Sequence, residues 1–380
     1  MKQRELVVDL VKAAFIVLIV KVTATTSVIM PWNSQVDNLC IVFAIAVMIL
    51  KICRLTLPLG RLLALAGMGL WTLYTCVSIG QYDLLVTIVA ICLLIDEDLD
   101  EYIPLMLRVQ TFVLIAHIAV SGFLSLIGKD AYFWRWTNDR FRFNGGFFHA
   151  NVLSSYILSC MLMFSWKQFG RITANQFAGM ACIAALSFIL TKTRTGLLLN
   201  VILLLLIYLT QNKNQLVIKL VNAAFLLLFP ALSGLIFWTT KQYTSGSSIA
   251  MVLDDILTGR IKYAAYAYLR SGTTLLPRYL DYADVGQISW TPEWNLNTFT
   301  FDNLYSFIFM QLGMVWIVII TVMFFLLFKK FNLRNRLFLL IWMLYSIVEV
   351  HGLNCFKFFP LILLSTLLSE KGGRGTSETP

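Results

Sequence analysis

The sequence predicts an all-α, polytopic integral membrane protein, and three of its properties lead to that fold class. Of its 380 residues, 59% are hydrophobic and only 13% are charged. Its mean hydropathy is +0.78. Apolar runs recur along the chain at close to about 20 residues, the length of a helix that crosses ~30 Å of hydrocarbon. Because a chain in lipid must satisfy its backbone polar groups internally, these runs are predicted to be transmembrane helices.

Segmentation of the apolar runs predicts about twelve transmembrane helices. The first run follows Lys2 and Arg4, as in a signal peptide. It continues past Lys12 and Lys21 without a small-residue cleavage site, so we expect a retained helix. The predicted spans are 8–30, 38–53, 60–79, 82–95, 102–128, 150–167, 174–191, 195–211, 217–239, 302–328, 335–349 and 355–369.

These spans divide the chain into five predicted regions. Residues 1–128 hold the five N-terminal helices, and 129–239 hold four central helices with polar loops between them. Residues 240–301 form a large extracytoplasmic loop, 302–370 hold three C-terminal helices, and 371–380 form a polar tail. Seven cysteines lie in apolar segments without a C-x-x-C pair. We therefore expect buried small hydrophobes rather than disulfides or a zinc site.

The distribution of charge predicts the orientation. Most short loops on the side of both termini carry lysine or arginine, whereas the first two opposite loops, at 31–37 and 80–81, carry none. By the positive-inside rule, both termini lie in the cytoplasm. We therefore attribute the net charge of +10 to the cations that set the orientation in the membrane, and nucleic acid is not an expected partner.

Three predicted outer segments break this rule: 129–149, 191–195 and 240–301. Long loops translocate regardless of charge, which accounts for most of 240–301. The tight turn "LTKTRTG" (190–196) is harder to explain in that way. Guanidinium groups bind phosphate oxygens in pairs, so an anionic ligand at the outer surface is one interpretation. Snorkelling side chains and ordinary loop charge are the other.

Three stretches resemble motifs of a known superfamily. "NGGFFHANVLSSYILSCML" (144–162), "ILTKTRTGLL" (189–198) and "FDNLYSFIFMQLGMVW" (301–316) resemble, in order and spacing, segments of the O-antigen ligase and polymerase superfamily. "TGR" (258–260) and the late "E-x-H-G-x-N" (349–354) look more like its Wzy-type polysaccharide polymerases of capsule and exopolysaccharide systems. The matched region runs from about 140 to 352. Ala150 replaces the usual proline before Asn151, and Asp302 stands where the ligases carry a histidine.

The resemblance implies a GT-C-like glycosyltransferase in the bacterial cytoplasmic membrane, with its active site facing outward. Such an enzyme passes a growing glycan from polyprenyl (undecaprenyl) pyrophosphate to a sugar hydroxyl of the next lipid-linked repeat unit. The implied partners are the polyprenyl-pyrophosphate-linked oligosaccharide, membrane lipid, and the flippase and chain-length regulator proteins of the same pathway. No cofactor is expected. The histidine and acid spacings predict no metal site.

Negative charge grows on the pyrophosphate as the sugar bond breaks, so preplaced cations stabilise the transition state. Arg142 and Arg194 are the first candidates for that work, and Arg260 and Arg270 follow. Four groups compete to be the general base: Asp302, aligned by the resemblance, with Glu349, His351 and His149 as rivals. Asp302 at a helix start is equally suited to capping.

The remaining candidates are substrate-binding residues. Gly145 and Gly146 would let backbone approach a phosphate at the start of a helix, although an ordinary turn explains them as well. Most outer aromatics fit the membrane interface, with Trp290 and Trp294 the exceptions that suit stacking on sugars. The other predicted substrate contacts are His149, Asn151, Asn303 and Tyr305. His149 and Asn151 are equally suited to cap and anchor the helix that begins beside them.

Two other functions compete with polymerisation. A ligase would use the same donor with a different acceptor. A flippase or transporter for the lipid-linked sugar explains the spans and the outer cations equally well, but it predicts internal repeats and charges deep in several helices. No repeat is evident in this sequence, and its unexplained cations lie outside the spans.

Overall fold

The computed structural model describes residues 2–30, 33–130, 132–137, 140–280 and 301–369. Most of these residues are helical, and the only strands among them form one two-stranded hairpin. The elements are α1 Lys2–Thr25, α2 Ser34–Ile52, α3 Leu59–Ile79, α4 Asp83–Leu93, α5 Leu99–Leu126, β1 Trp134–Thr137, β2 Arg140–Phe143, α6 Ala150–Lys167, α7 Ala174–Thr191, α8 Arg194–Gln211, α9 Gln215–Thr244, α10 Ser248–Ile256, α11 Arg260–Ser271, α12 Leu304–Phe307, α13 Val315–Phe328 and α14 Leu333–Tyr345. The predicted all-α class is confirmed.

Six helices of the described residues are long and apolar enough to cross a membrane: α2, α3, α5, α7, α8 and α9. By length and composition they are compatible with a multi-pass membrane protein. The predicted count of twelve spans is not confirmed. The fourth predicted span, 82–95, contains only the 11-residue α4, and the eleventh, 335–349, overlaps the 13-residue α14, which begins two residues earlier.

Side-chain caps fix where several helices begin. Thr173 and Gln176 form a capping box at the start of α7, and the Asn214 side chain accepts from Val217 N at the start of α9. These caps satisfy N–H groups that have no partner within the helix. The central helices therefore begin close to the predicted positions.

The core surrounds α14, on which every residue from Leu337 to Met343 is buried. A helix that is buried on all sides belongs to the interior of the bundle. On one side of α14, Phe229 stacks on Trp342 at 6.0 Å between ring centroids. On another side lies the C-terminal segment 359–367.

The tenth predicted span, 302–328, is interrupted. α12 continues as a single π-helical segment, Ile308–Leu312, and the chain then breaks at Gly313, whose φ is +95°. Residues 272–280 lie against this break: Thr274 N donates to Phe309 O at 3.0 Å, and Arg278 Nε donates to Met310 O at 2.8 Å. A side chain at Gly313 would collide with the backbone of Leu275. Part of the predicted loop thus fills the gap in the predicted helix.

The twelfth predicted span, 355–369, is not an α-helix. It contains a 3-10 helix, Phe359–Leu367, which follows another 3-10 turn, Val350–Leu353, and an irregular stretch. Non-helical backbone at membrane depth is tolerated where it is enclosed by protein. Side chains supply partners for it: Thr87 bonds Leu353 O, and Gln110 Nε2 donates to Phe356 O.

Three further features were not expected. Residues 134–137 and 140–143 form an antiparallel hairpin of two strands, β1 and β2, and β2 contacts α7. The described part of the predicted 240–301 loop contains α10 and α11, both of which contact α9. Among the cysteines, Cys53 and Cys182 are exposed rather than buried, because they lie on outward faces of the bundle.

Candidate functional site

Four segments of the chain meet at one polar cluster. The Asn151 amide donates from Nδ2 to Glu349 Oε1 at 3.0 Å, and its Oδ1 accepts from the Thr193 hydroxyl at 3.3 Å. Arg260 completes the set, with its guanidinium 3.6 Å from Glu349 Oε1. We call Asn151, Thr193, Arg260 and Glu349 the polar cluster. It joins the start of α6, the α7–α8 turn, the start of α11 and the loop after α14.

The start of α6 is set by His149. Its Nδ1 accepts from Asn151 N at 3.1 Å, which is an N-cap made by an imidazole. That bond requires Nδ1 to be unprotonated. Burial, and after it the charge of Arg142, lower the pKa of His149 and so favour the neutral ring. His149 therefore acts as the cap that aims Asn151.

The α7–α8 turn comes close to α6 because of two backbone features. Lys192 adopts the left-handed conformation (φ +54°) and reverses the chain between the helices. Gly196 then faces Ser154, whose hydroxyl occupies the place where a Cβ on residue 196 would lie. The close approach brings the buried Thr193 to Asn151.

Arg260 is held by protein groups on several sides. Its Nε donates to Val348 O at 2.7 Å and its Nη1 donates to Leu257 O at 3.0 Å, with Thr258 Oγ1 as a further acceptor. Only 9% of the residue is exposed. Arg260 therefore fixes the loop that carries Glu349, in addition to facing its carboxyl.

Glu349 is a buried carboxyl with an altered acidity. Burial raises its pKa from the ordinary value to about 8, and the nearby Asp302 adds to that rise. The charge of Arg260 and the hydrogen bond from Asn151 oppose it. A carboxyl with a pKa close to neutrality can exchange protons with a substrate, which is the property required of a general acid or base.

A small cavity of about 10 Å³, which is room for about one water molecule, lies beside the polar cluster. Hydroxyl groups from three helices line it together with Glu349. Ser155 and Tyr345 share a hydrogen bond of 2.6 Å there, and Ser155 also donates to Asn151 O. The pocket is therefore hydrogen-bonding in character and offers space for a polar group next to the Glu349 carboxyl.

Arg142 lies on β2 and is half-buried. Its Nε is enclosed without a hydrogen-bond partner. Arg135 is its cross-strand partner, and Arg140 lies two residues away on the same strand. His149 is within electrostatic range of Arg142 and Arg135, and also of Arg260 and Asp302. The cations of the hairpin and the polar cluster are thus electrostatic neighbours of one histidine.

Gly145 and Gly146 form the turn between β2 and α6, with φ of +60° and +85°. Their N–H groups donate to Phe133 O and Tyr132 O, and Gly146 O accepts from Val28 N. A side chain at Gly146 would overlap the Ser121 hydroxyl. In this structure the two glycines serve the packing of the turn, and their N–H groups are already engaged. Their role at a phosphate stays a prediction.

The segment before α12 supplies a cap and a core residue. Asn303 accepts from Ser306 N at 3.1 Å. Tyr305 is fully buried, and its hydroxyl donates to Met343 O at 2.9 Å, so it packs in the core rather than facing a ligand. Asp302 is half-buried and close enough to Glu349 and His149 to influence their pKa values. Its catalytic role stays a prediction.

Four predicted site residues lie apart from the polar cluster or outside the described residues. Arg194 is exposed at the start of α8, next to Thr193. Arg270 is at the far end of α11 from Arg260, at a separation of about 15 Å along the helix. Trp290 and Trp294 lie outside the described residues.

His351 belongs to a second polar group. It is within electrostatic range of Lys357 and Asp83. Lys357 Nζ lies 2.8 Å from Asp83 Oδ2, and Asn354 Nδ2 donates to Asp83 Oδ1 at 2.9 Å. This group pins the irregular C-terminal stretch to the start of α4.

Thr193, Ser155 and Tyr345 are not among the residues predicted from the sequence. Thr193 stands inside the "LTKTRTG" turn, where the arginine and lysine took precedence. Ser155 lies one helical turn after Asn151 and so shares its face, which is a usable signal. Tyr345 carries no such local signal, because α6 and α14 are distant in sequence.

In the described part of the chain, no group of three or more His, Cys, Asp or Glu side chains is arranged to hold a metal ion. No family model, curated protein or solved structure matches the chain.

Proposed function

We propose that the protein is a glycosyltransferase of the bacterial cytoplasmic membrane that polymerises lipid-linked oligosaccharide repeat units. It transfers the growing glycan from polyprenyl pyrophosphate to a hydroxyl of the next lipid-linked unit, at the outer surface. Both substrates are amphiphiles, which agrees with the six helices of membrane-spanning length among the described residues.

One observation carries the proposal. The polar cluster is built from the motif stretches that carry the resemblance: Asn151, Thr193, the arginine of "TGR" and the glutamate of "E-x-H-G-x-N". These residues are separated by up to 198 positions. Their meeting beside the hairpin arginines supplies both a proton acceptor and cations for a phosphate.

The proposed chemistry is a single displacement. The acceptor oxygen bonds to the sugar C1 while the bond from C1 to the pyrophosphate oxygen breaks and its electron pair leaves with the pyrophosphate. The acceptor proton passes to the Glu349 carboxylate. Arg142 stabilises the negative charge that develops on the leaving group, because a guanidinium binds phosphate oxygens with charge-assisted hydrogen bonds.

Among the four predicted bases, Glu349 has the best-supported position. It is buried at the pocket, oriented by Asn151, and has a pKa near neutrality. The Nδ1 atom of His149 already accepts the hydrogen bond that caps α6, and His351 lies beside Asp83 and Lys357 rather than in the polar cluster. Asp302 is the remaining rival.

Glycan analysis of a strain that lacks the gene tests the proposal. A polymerase predicts loss of the polymer ladder with single repeat units retained. A ligase predicts free, lipid-linked polymer that is not attached to its acceptor. Lipid-linked units that accumulate on the cytoplasmic side would indicate a flippase and overturn the proposal.

Complementation with variants tests the site. Arg142→Ala, Arg194→Ala and Glu349→Gln should each reproduce the loss of the ladder while the protein still accumulates in the membrane. Arg270→Ala, which changes a cation at the far end of α11, is the comparison that should retain more polymer. Wild-type ladders from all three site variants would remove the site assignment.

A further inference from the structure

The β1–β2 hairpin separates two kinds of side chain by face. Successive residues of a strand point to opposite sides, and paired residues share a side. The register pairs Trp134 with Phe143 and Trp136 with Phe141, so one face is entirely aromatic. Arg135 pairs with Arg142, and Arg140 shares their side. The ribbon therefore has an aromatic face (Trp134, Trp136, Phe141, Phe143) and an arginine face (Arg135, Arg140, Arg142).

The rings of the aromatic face pack against each other, and those farthest from the base of the ribbon are exposed. Trp134 stacks on Phe141 with ring centroids 5.1 Å apart and ring planes 8° apart. Phe143 packs edge-on against Phe133 at the base of the ribbon. Exposure rises away from that base, from 40% at Trp134 to 69% at Trp136. An exposed aromatic surface of this kind marks an interaction site.

This face is continuous with helix surfaces that are exposed and apolar. At the base of the ribbon, Phe133 packs on Gly122 of α5, 3.2 Å from the place of a Cβ. The neighbouring α5 residues Phe123 and Leu126 are 62% and 87% exposed. β2 contacts α7, which exposes Ile183, Leu186 and Ile189. Both helices have the length and hydropathy of membrane spans, so their exposed apolar sides face lipid.

The arginine face has no ionic partner among the described residues. Arg135 lies 4.7 Å above the Tyr132 ring, and Arg142 Nε is buried without a hydrogen bond. No carboxylate of a described residue is paired with either of them or with Arg140. Like charges opposite each other across two strands repel, so a bound anion would stabilise this face. At a membrane surface, that anion is the phosphate of a lipid headgroup.

We infer that the hairpin lies on the membrane surface, with its aromatic face seated among lipids and its arginine face at the level of the headgroup phosphates. Tryptophan at the boundary between acyl chains and headgroups places its apolar ring in lipid and its indole N–H near water. The inference stands without the proposed glycosyl transfer. If that transfer is correct, the ribbon is also the edge over which a lipid phosphate enters the site.

Two neighbouring residues on β1 provide a matched test. Trp136 and Arg135 are both exposed and point to opposite faces. Trp136→Cys and Arg135→Cys are spin-labelled separately in full-length protein in phospholipid nanodiscs, after Cys53→Ser and Cys182→Ser remove the exposed native thiols. Power saturation with oxygen, which concentrates in lipid, and with a water-soluble nickel chelate gives a depth parameter for each label.

We expect a positive depth parameter at position 136 and a negative one at position 135. Negative values at both would place the ribbon in water, with its aromatic face free to stack on a sugar, and would overturn the inference. Positive values at both positions would place the arginine face within the hydrocarbon as well, and would also overturn the inference. Neither result depends on enzymatic activity, so failure here is distinct from failure of the proposed function.

Tryptophan quenching provides a second measurement that needs no label. In nanodiscs of bromine-labelled lipid, wild-type protein and Trp136→Phe are compared. The quenched part of the fluorescence should fall in the variant, because the lipid contact is lost with the indole. Equal quenched fractions in the two proteins would contradict the inference even if the cysteine variants failed to fold.

Discussion

At the scale of single residues, Asn151 connects the parts of the candidate site. Its amide has one donor and one acceptor in use, toward Glu349 and Thr193. The neutral His149 directs the backbone that carries it. Burial of the Glu349 carboxyl raises its pKa, whereas the hydrogen bond from Asn151 and the nearby Arg260 guanidinium lower it.

Glu349 predicts the pH dependence of activity. Because its folded pKa is raised to about 8, the carboxylate that accepts a proton becomes abundant only as the pH rises toward that value. Transfer by purified protein from a lipid-linked donor should therefore increase with pH up to about 8. Glu349→Gln should lower the rate by roughly 10²–10⁴-fold, the usual contribution of a general base, and should abolish that rise.

Arg260 and Asn151 supply the matching comparison. Both lower the pKa of Glu349, so Arg260→Gln or Asn151→Ala should move the rising limb of the pH profile to higher pH. A purely structural role would reduce the rate without moving the limb. A Glu349→Gln enzyme with the wild-type profile would return the role of base to Asp302.

At the scale of elements, the approach of α6 to α8 depends on one small residue. Gly196→Ala would place a methyl group on the Ser154 hydroxyl. Overpacking of this kind costs about 1–3 kcal/mol, and we expect the loss in the thermal unfolding of detergent-solubilised protein. Ser154→Ala should restore the stability of Gly196→Ala, because the next contact, with Ser154 Cβ, is an ordinary 3.6 Å.

The control for that prediction is Gly179→Ala on α7. Nothing lies within 4 Å of the added methyl group there. It should be neutral, or stabilising by up to about 1 kcal/mol, through helix propensity. Equal losses at positions 179 and 196 would show that the contact with Ser154 is not the cause.

The irregular C-terminal stretch also depends on particular side chains. Thr87 donates to Leu353 O at 2.6 Å and accepts from Cys355 N at 3.0 Å. Thr87→Val keeps the shape but leaves both buried groups without that partner, at an expected cost of about 1–3 kcal/mol. Chemical or thermal unfolding measures it.

Thr210→Val is the comparison for Thr87. Thr210 is also buried, but its hydroxyl bonds only carbonyls of its own helix, Leu206 O and Ile207 O. Those carbonyls already belong to the helix ladder, so the change should cost little. A loss at position 210 as large as that at 87 would contradict the account.

The elements that the sequence predicted well are those whose signals are local. The predicted bounds of α6 and α7, 150–167 and 174–191, match the structure, because each apolar run is bounded by a side-chain cap. The hairpin carries an alternating pattern, "WRWT" and "RFRF", but each strand has only four residues. The break at Gly313 and the stretch after Leu353 depend on partners hundreds of residues away or in another loop. No window of sequence contains that information.

The candidate site divides in the same way. Asn151, Arg260 and Glu349 stood out through residue type, motif order and resemblance. Thr193 and Tyr345 enter through packing between helices, which spacing along the chain does not reveal. Tyr305 was chosen through its motif, and its ring lies wholly inside the bundle, so its role at a substrate stays a prediction.

At the scale of the whole molecule, the helices differ widely in length. α9 has 30 residues and α4 has 11. At about 1.5 Å per residue these cover about 45 Å and 16 Å, against ~30 Å of hydrocarbon. α4 is too short to cross alone, and it packs against the C-terminal 3-10 segment inside the bundle. At the start of α4, Asp83 forms an ion pair with Lys357. Charged side chains within a membrane bundle commonly pair with each other in this way.

The predicted topology remains to be measured. Because the cations of the short loops lie on the side of both termini, green fluorescent protein fused at either end should fluoresce in the cytoplasm. Alkaline phosphatase inserted within 281–300 should be active, since that predicted loop is external. Phosphatase activity from a fusion at one terminus would contradict the even number of crossings.

The side chains that hold the C-terminal stretch make its conformation and the packing of three helices depend on each other. Thr87, Gln110 and Ser159 bond backbone groups that follow them by 266, 246 and 200 residues. A segment whose backbone is satisfied only by other elements cannot be stable in lipid by itself. Residues 353–359 can therefore hold this conformation only when α4, α5 and α6 are packed around them. Without residues 353–359, the buried side chains of Thr87, Gln110 and Ser159 would in turn lose these partners.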